Sequence, residues 1–167
     1  MIKIVGAKGI IQDVDGFLEK VLSFSEKQHV VVQVFNADTI YGRNHLISAV
    51  EHAVRATQER TNTTNSLSME IMLYASGERQ LKLAIPKMGV RKGKGRIAFV
   101  FTNGKISDKI VDDLLKELVL ERDDKVLEGD RDTLKKFGLT DAEIRTVTKD
   151  KYGDLILEKV AMVDIIK

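Results

Sequence analysis

Apolar positions along this chain switch between a spacing of two and a spacing of three to four, and the switches mark out its elements. At the start, Ile2, Ile4 and Ala7 alternate with Lys3, Val5 and Lys8, which predicts a short half-buried strand loosened at its end by Gly6 and Gly9. Phe17, Leu18, Val21, Leu22 and Phe24 then follow helical spacing, with Asp13 or Asp15 as the cap. The β-branched run from His29 to Asn36 reads as a central strand. Asn36 to Thr39 supplies turn and cap groups, and a helix from about Asn44 to Thr57 turns Leu46, Val50, Ala53 and Val54 inward. Residues 58–66 are polar and form an exposed loop.

Leu67, Met69, Ile71, Met72 and Leu73 make the next helix apolar nearly all round, as expected of one packed on several sides. Ser76-Gly77 stops it, because glycine adopts the left-handed conformation that ends a helix at little cost. Leu81, Ala84, Ile85 and Met88 start another helix at once, so Arg79 and Gln80 are expected in its first turn, just past a tight corner. Pro86 should kink or shorten that helix, and Gly89 should close it. Arg91 to Arg96 reads as a basic turn feeding the strand Ile97 to Phe101, which Asn103-Gly104 ends. Ser107 or Asp108 caps a helix through Leu118, with Val119-Leu120 as a brief edge strand. Two short helices follow, Asp130–Phe137 and Thr140–Thr146, the second opened by the capping box Thr140-Asp141-Ala142-Glu143. Leu155 to Ile166 reads as a last helix on Ile156, Val160 and Val163.

This pattern predicts an α+β fold: a small, mostly antiparallel sheet of three to four strands covered by about seven helices. At 167 residues and 43% hydrophobic content, a single domain over 1–167 with a real core is expected. Charge barely changes the picture. With 27 basic and 25 acidic residues the net charge is +2, so any nucleic-acid site must be a local patch. The absence of cysteine excludes disulfides, thiolate metal sites and cysteine nucleophiles, and fits a reducing compartment. No run approaches the ~18 apolar residues of a membrane span, and the chain is expected to be cytoplasmic.

Candidate chemistry is sparse. Gly89 to Gly95 lacks the spacing, the Ser/Thr and the strand-to-helix context of a phosphate loop, which argues against nucleotide hydrolysis. His45 and His52, seven apart on one helical face, have no third ligand in view and read as surface or boundary histidines. Asp112-Asp113 and Asp123-Asp124 are sequence neighbours, about 100° apart on a helix, so they form no acid-base dyad and read as solvated faces. No metal site, cofactor or catalytic set is expected.

Two features remain. Backbone amides at a helix start attract anions and an arginine beside them adds a bidentate donor, so Arg79 and Gln80 are either an anion site or a simple pairing with Glu70 or Glu78. Arg91, Lys92, Lys94 and Arg96 are either a nucleic-acid contact or a solvated turn. The apolar run Val160 to Ile166 is either pinned in the core or docked on a partner, with the core favoured.

Taken together, Phe35-Asn36-Ala37-Asp38, His45-Leu46 with Ala49 and Ala53, Met69-Glu70-Ile71, Ala75-Ser76-Gly77-Glu78-Arg79-Gln80 and Leu157-Glu158-Lys159-Val160-Ala161 resemble the smallest regulatory subunit of the KEOPS complex, of archaeal type and TPRKB-like. That resemblance implies a non-catalytic, cofactor-free subunit. It would bind and support a PRPK-like kinase/ATPase subunit and hold the tRNA 3′ CCA end for N6-threonylcarbamoyladenosine modification. It implies RNA contact at Ser76, Gly77, Arg79 and Gln80, to which the basic run Arg91, Lys92, Lys94 and Arg96 is added. The kinase side is expected at Val163, Ile165 and Ile166. The alternatives are a protein-only activator without RNA contact and, more remotely, a small-molecule enzyme using His45 and Glu70.

Overall fold

The computed structural model describes residues 1–167. Its centre is a four-stranded antiparallel sheet in the order β2-β3-β1-β4. Here β1 is Ile2–Ile11, β2 Val31–Asn36, β3 Gly93–Thr102 and β4 Glu121–Arg122. The long pair is β1 with β3, in register from Ile2 opposite Thr102 to Ile11 opposite Gly93. Ile4, Val5, Gly6 and Ala7 are all buried, so β1 is covered on both faces rather than half-buried and short. Simple alternation understates such a strand, because both of its faces select small or apolar side chains.

Helices cover each face of the sheet. On one side lie α1 (Val14–Gln28) and α5 (Asp108–Glu117), packed through Phe17, Val21, Phe24, Val111 and Leu114 onto Val5, Ala7, Phe99 and Phe101. On the other lie α2 (Gly42–Gln58), α3 (Leu67–Ser76), α4 (Leu81–Met88), α6 (Arg131–Phe137), α7 (Asp141–Ile144) and α8 (Tyr152–Ile166). Their larger core of 26 buried residues includes Leu46, Val50, Ile71, Met72, Leu134, Phe137 and Val160. The architecture is therefore α+β with eight α-helices. The capping box at α7 and the Ser107 cap on α5 form as the sequence predicts.

Several expectations shift. The β2 run is at the sheet edge, not its centre, because α1 and α3 bury it from both sides and so give it the composition of a central strand. His29 is not in it but ends α1 with a left-handed φ of 55°. Leu18 and Leu22 face outward at 41% and 59% exposure, so the apolar stripe of α1 is narrower than its spacing suggests. Val119 is a left-handed turn residue, and β4 forms two residues later than expected. Ile85 is exposed, although α4 does end at Met88 with Gly89 closing it, two residues beyond Pro86, as expected.

The outer edge of β1 is closed by side chains. Asp124 accepts the Gly6 amide at 2.9 Å, Arg43 donates to the Ile4 carbonyl, and the two side chains pair at 3.3 Å. Asp124 is thus a structural ligand of the sheet edge rather than a solvated acid, and such closure prevents pairing with foreign strands.

Candidate docking surfaces

The corner after α3 is built from the inside. Ser66 caps α3 by accepting the Met69 amide at 3.2 Å, and residues 70–76 are all buried, as an all-round apolar helix requires. Gly77 then reverses the chain with φ 70°, and a Cβ there would stand 3.3 Å from Lys159 Cβ. Ser76 does not face solvent. Its hydroxyl donates to the Leu73 carbonyl at 2.8 Å and accepts the Glu78 amide at 3.1 Å. Its carbonyl accepts Lys87 Nζ at 2.7 Å. Ser76 therefore shapes the corner and does not contact a ligand through its side chain.

Lys87 is the cation that organises this corner. Its ammonium lies 3.8 Å from the centroid of Phe137 and 3.4 Å from Glu78 Oε1. Burial pushes it below the ordinary lysine value, against the opposing pull of Glu78. Around it a groove of about 450 Å³ is lined by Gly77, Glu78, Lys136, Phe137 and Lys159 among others. The groove's own lining holds three ammonium groups and one carboxylate, but Lys136 and Lys159 are also paired at its edge, with Asp132 at 3.3 Å and Glu143 at 2.8 Å. Its lysines come from α4, α6 and α8, far apart in sequence, and no local pattern announces them.

Arg79 and Gln80 precede α4 instead of forming its first turn, and Gln80 is the N-cap residue. Both are exposed at the rim of the corner. Arg79 makes no ion pair: Glu78 is taken by Lys87 and Glu70 by Lys167. The basic run is divided by the fold. Only Arg91 and Lys92 occupy a turn, while Lys94 and Arg96 are in β3 opposite Ile10 and Lys8. Arg96 is bound to Asp38, and Arg91 donates to the Pro86 carbonyl at 3.4 Å. Lys92 and Lys94 make no ion pair.

A second, larger cavity of about 700 Å³ opens at the start of α2. Asp124, Glu128 and Asp154 line it with Arg43 and Lys125, three carboxylates to two cations, so it shows none of the positive bias of the corner groove.

Histidine placement differs from the sequence reading. His45 is buried, accepting the Tyr41 amide on Nδ1 at 3.0 Å and donating from Nε2 to the Ala75 carbonyl at 2.8 Å. It stands edge-on to Phe137 and braces the end of α3 behind the corner. Burial lowers its pKa to about 4. The unfolded chain, with histidine near 6.5, therefore binds the extra proton first. Stability from His45 is fully present above pH 6.5 and falls between pH 6.5 and pH 4, by up to about 3 kcal/mol. Urea denaturation across that interval should show this loss in the parent protein and a shallower slope in His45→Gln. Both His45 and Glu70 are committed to internal partners, which removes the pair proposed for small-molecule chemistry.

The outer end of α8 is divided as helical spacing dictates. Ile156, Val160 and Val163 are in the core, so Val163 is not a surface contact. Met162, Ile165 and Ile166 are exposed at 39%, 74% and 41%. The apolar run is therefore pinned on one side and open on the other. No helix is long and apolar enough to cross a membrane.

The family described as kinase binding protein CGI-121 matches residues 11–164. The chain belongs to the CGI-121 family. Regulatory protein Cgi121 of Methanocaldococcus jannaschii is 27% identical over 139 residues, covering 81% of this chain and 84% of that protein. The match to the CGI-121 family takes in β2, the corner and all but the last residues of α8, so every element discussed above except most of β1 is part of the family's shared domain. The resemblance drawn from the sequence motifs is thus to the right family, one of kinase-binding proteins with a member named as regulatory.

Proposed function

We propose that this CGI-121 family member is a non-catalytic subunit of a KEOPS-type assembly. It binds and supports a small PRPK-like kinase/ATPase subunit and holds the tRNA 3′ CCA end during N6-threonylcarbamoyladenosine modification. Membership of a kinase-binding family, with a regulatory protein among its members, supports the partner half of this reading. The exposed Ile165 and Ile166 offer the apolar contact such a partner would cover.

The RNA half rests on one observation, the positive groove beside Gly77. A single-stranded tail needs cations for its phosphates and a flat apolar face for its bases. Lys87, Lys136 and Lys159 would supply the cations by exchanging Glu78, Asp132 and Glu143 for phosphates, and Arg79 is unpaired at the rim. Phe137, buried beneath the Lys87 ammonium, would meet a base only once that ammonium moves. Gly77 and Gln80 bound the same corner. Lys92 and Lys94 are the members of the basic run free for a further phosphate contact, whereas Arg91 and Arg96 have internal partners.

Titration of tRNA with and without its 3′ CCA, at fixed salt, tests the reading. Removing CCA, or introducing Arg79→Glu, is expected to weaken binding by about tenfold or more, the order of one good charged contact. Equal affinity for full-length and CCA-less tRNA, with kinase binding retained, would leave the protein-only activator as the correct reading.

A further inference from the structure

The Glu70 carboxylate is fully buried, yet it carries no role in the corner or in the partner surface. Four groups of the loop and of α8 converge on it. From the loop between α2 and α3 it accepts the Thr63 amide at 3.0 Å, the Thr64 amide at 2.9 Å and the Thr64 hydroxyl at 2.7 Å. From the end of α8 it accepts Lys167 Nζ at 3.2 Å, and that side chain is only 7% exposed. The Lys167 ammonium also lies 4.6 Å from the centroid of Tyr74, one turn along α3 from Glu70. Tyr74 donates to Asp164, whose other oxygen is 2.8 Å from His52 Nδ1.

Lys167 is thus the only cation paired with a carboxylate that the fold has removed from water. Removing one partner of a buried ion pair leaves the other charge uncompensated, which is far more costly than any exposed pair. The remaining route to solvation for Glu70 is through the loop, because residues 59–66 are otherwise exposed and polar. Water reaching the carboxylate must displace the Thr63 and Thr64 donors.

We propose that Glu70 is a latch that couples the end of α8 to the loop 59–66, so that displacing Lys167 releases Thr63 and Thr64. The two segments then order and disorder together, because the hydrogen bonds that link them run through one carboxylate. Anything that draws the last turn of α8 outward is read at the loop, and a ligand that tightens the loop holds α8 in place. The coupling is a property of this chain alone and holds whether or not the end of α8 meets a kinase.

Amide hydrogen exchange on the full chain tests it. Lys167→Ala is expected to accelerate exchange at Thr63 and Thr64 by about tenfold or more while core amides of α3, such as Met72, keep their rates; Lys167→Arg should restore protection. Coupling is reciprocal. Thr64→Val, which deletes only the hydroxyl donor, should therefore speed exchange of the Lys167 amide, which donates to the Val163 carbonyl at 3.1 Å. Unchanged rates at Thr63 and Thr64 in Lys167→Ala, or uniform acceleration across the core, would overturn the latch, as would a Thr64→Val protein in which α8 is unaffected.

Discussion

Gly6→Val is expected to destabilise the protein by about 4 kcal/mol, enough to leave a marginal domain largely unfolded at moderate temperature. Gly6 is in the middle of β1, where the chain leading to α6 crosses the sheet edge. A Cβ at this position would stand 2.5 Å from the Asp123 carbonyl oxygen, 2.6 Å from Val126 Cγ2 and 3.1 Å from the Asp124 Cα. Two of those neighbours are backbone and cannot rotate away. The strand itself cannot shift either, since β1 and β3 are paired over their full length. The clash must therefore break the Gly6 amide bond to Asp124 and the Asp123 amide bond to the Gly6 carbonyl at 2.9 Å, which together attach this crossing to the sheet. Chemical denaturation followed by circular dichroism should show the midpoint fall with an unchanged slope. A loss below about 1 kcal/mol would mean that the crossing relaxes freely.

The double substitution Ile165→Asp with Ile166→Asp is expected to weaken binding to the kinase subunit by about a hundredfold or more, with little change in thermal midpoint. Both side chains are exposed, so the free protein loses almost no buried area when they become polar. In a complex they would place two carboxylates into a desolvated apolar contact, near the acid Asp164 that already ends the helix, and uncompensated charge in such a contact is heavily penalised. Val163→Asp makes the contrast, because that residue is fully buried and its substitution should unfold the end of α8 rather than act on the partner. Isothermal titration against the purified kinase subunit, with melting curves of each variant, separates the two effects. Undiminished binding of the double variant would move the partner surface elsewhere on the molecule.

These two expectations rest on different kinds of information. That Ile165 and Ile166 point away from the core while Val160 and Val163 point into it follows from spacing, since a helix turns about 100° per residue regardless of what it packs against. The left-handed stop at Gly77, the capping box at Thr140 and the all-round apolar character of α3 are local in the same sense and were legible before the fold was known, whereas the box at Asp130 was not read and Val163 was expected on the partner side with Ile165 and Ile166. Gly6 was not. In the sequence it only loosens the end of a strand, whereas its importance comes from Asp123 and Asp124, which reach it from the far half of the chain.

The docking corner divides the same way. Arg79 and Gln80 stand beside Gly77 in sequence and could be singled out at once. Lys136, Phe137 and Lys159 could not, because α6 and α8 bring them to Lys87 only after the larger core has closed. The basic run was visible as a cluster, but pairing of β3 with β1 extends two of its members along the sheet and Asp38 neutralises one. Glu70 could be noticed in the sequence as an acid in an apolar helix and a possible partner of Arg79, but its real partners, Thr63, Thr64 and Lys167, could not be read from spacing.

The sequence by itself determined the order of the helices and of the three long strands, with ends off by a few residues, the α+β class and, through its ordered motifs, the family. Those features depend on neighbours within a few residues, whose backbone preferences and side-chain periodicity are written in local order. Only the tertiary structure decided that β2 is an edge strand, that His45 braces the corner from inside, that three distant lysines share one groove and that Glu70 joins the loop to α8. Such relations arise when long stretches of chain are brought together to bury apolar surface, and the charges and hydrogen bonds that meet there have no counterpart in sequence spacing.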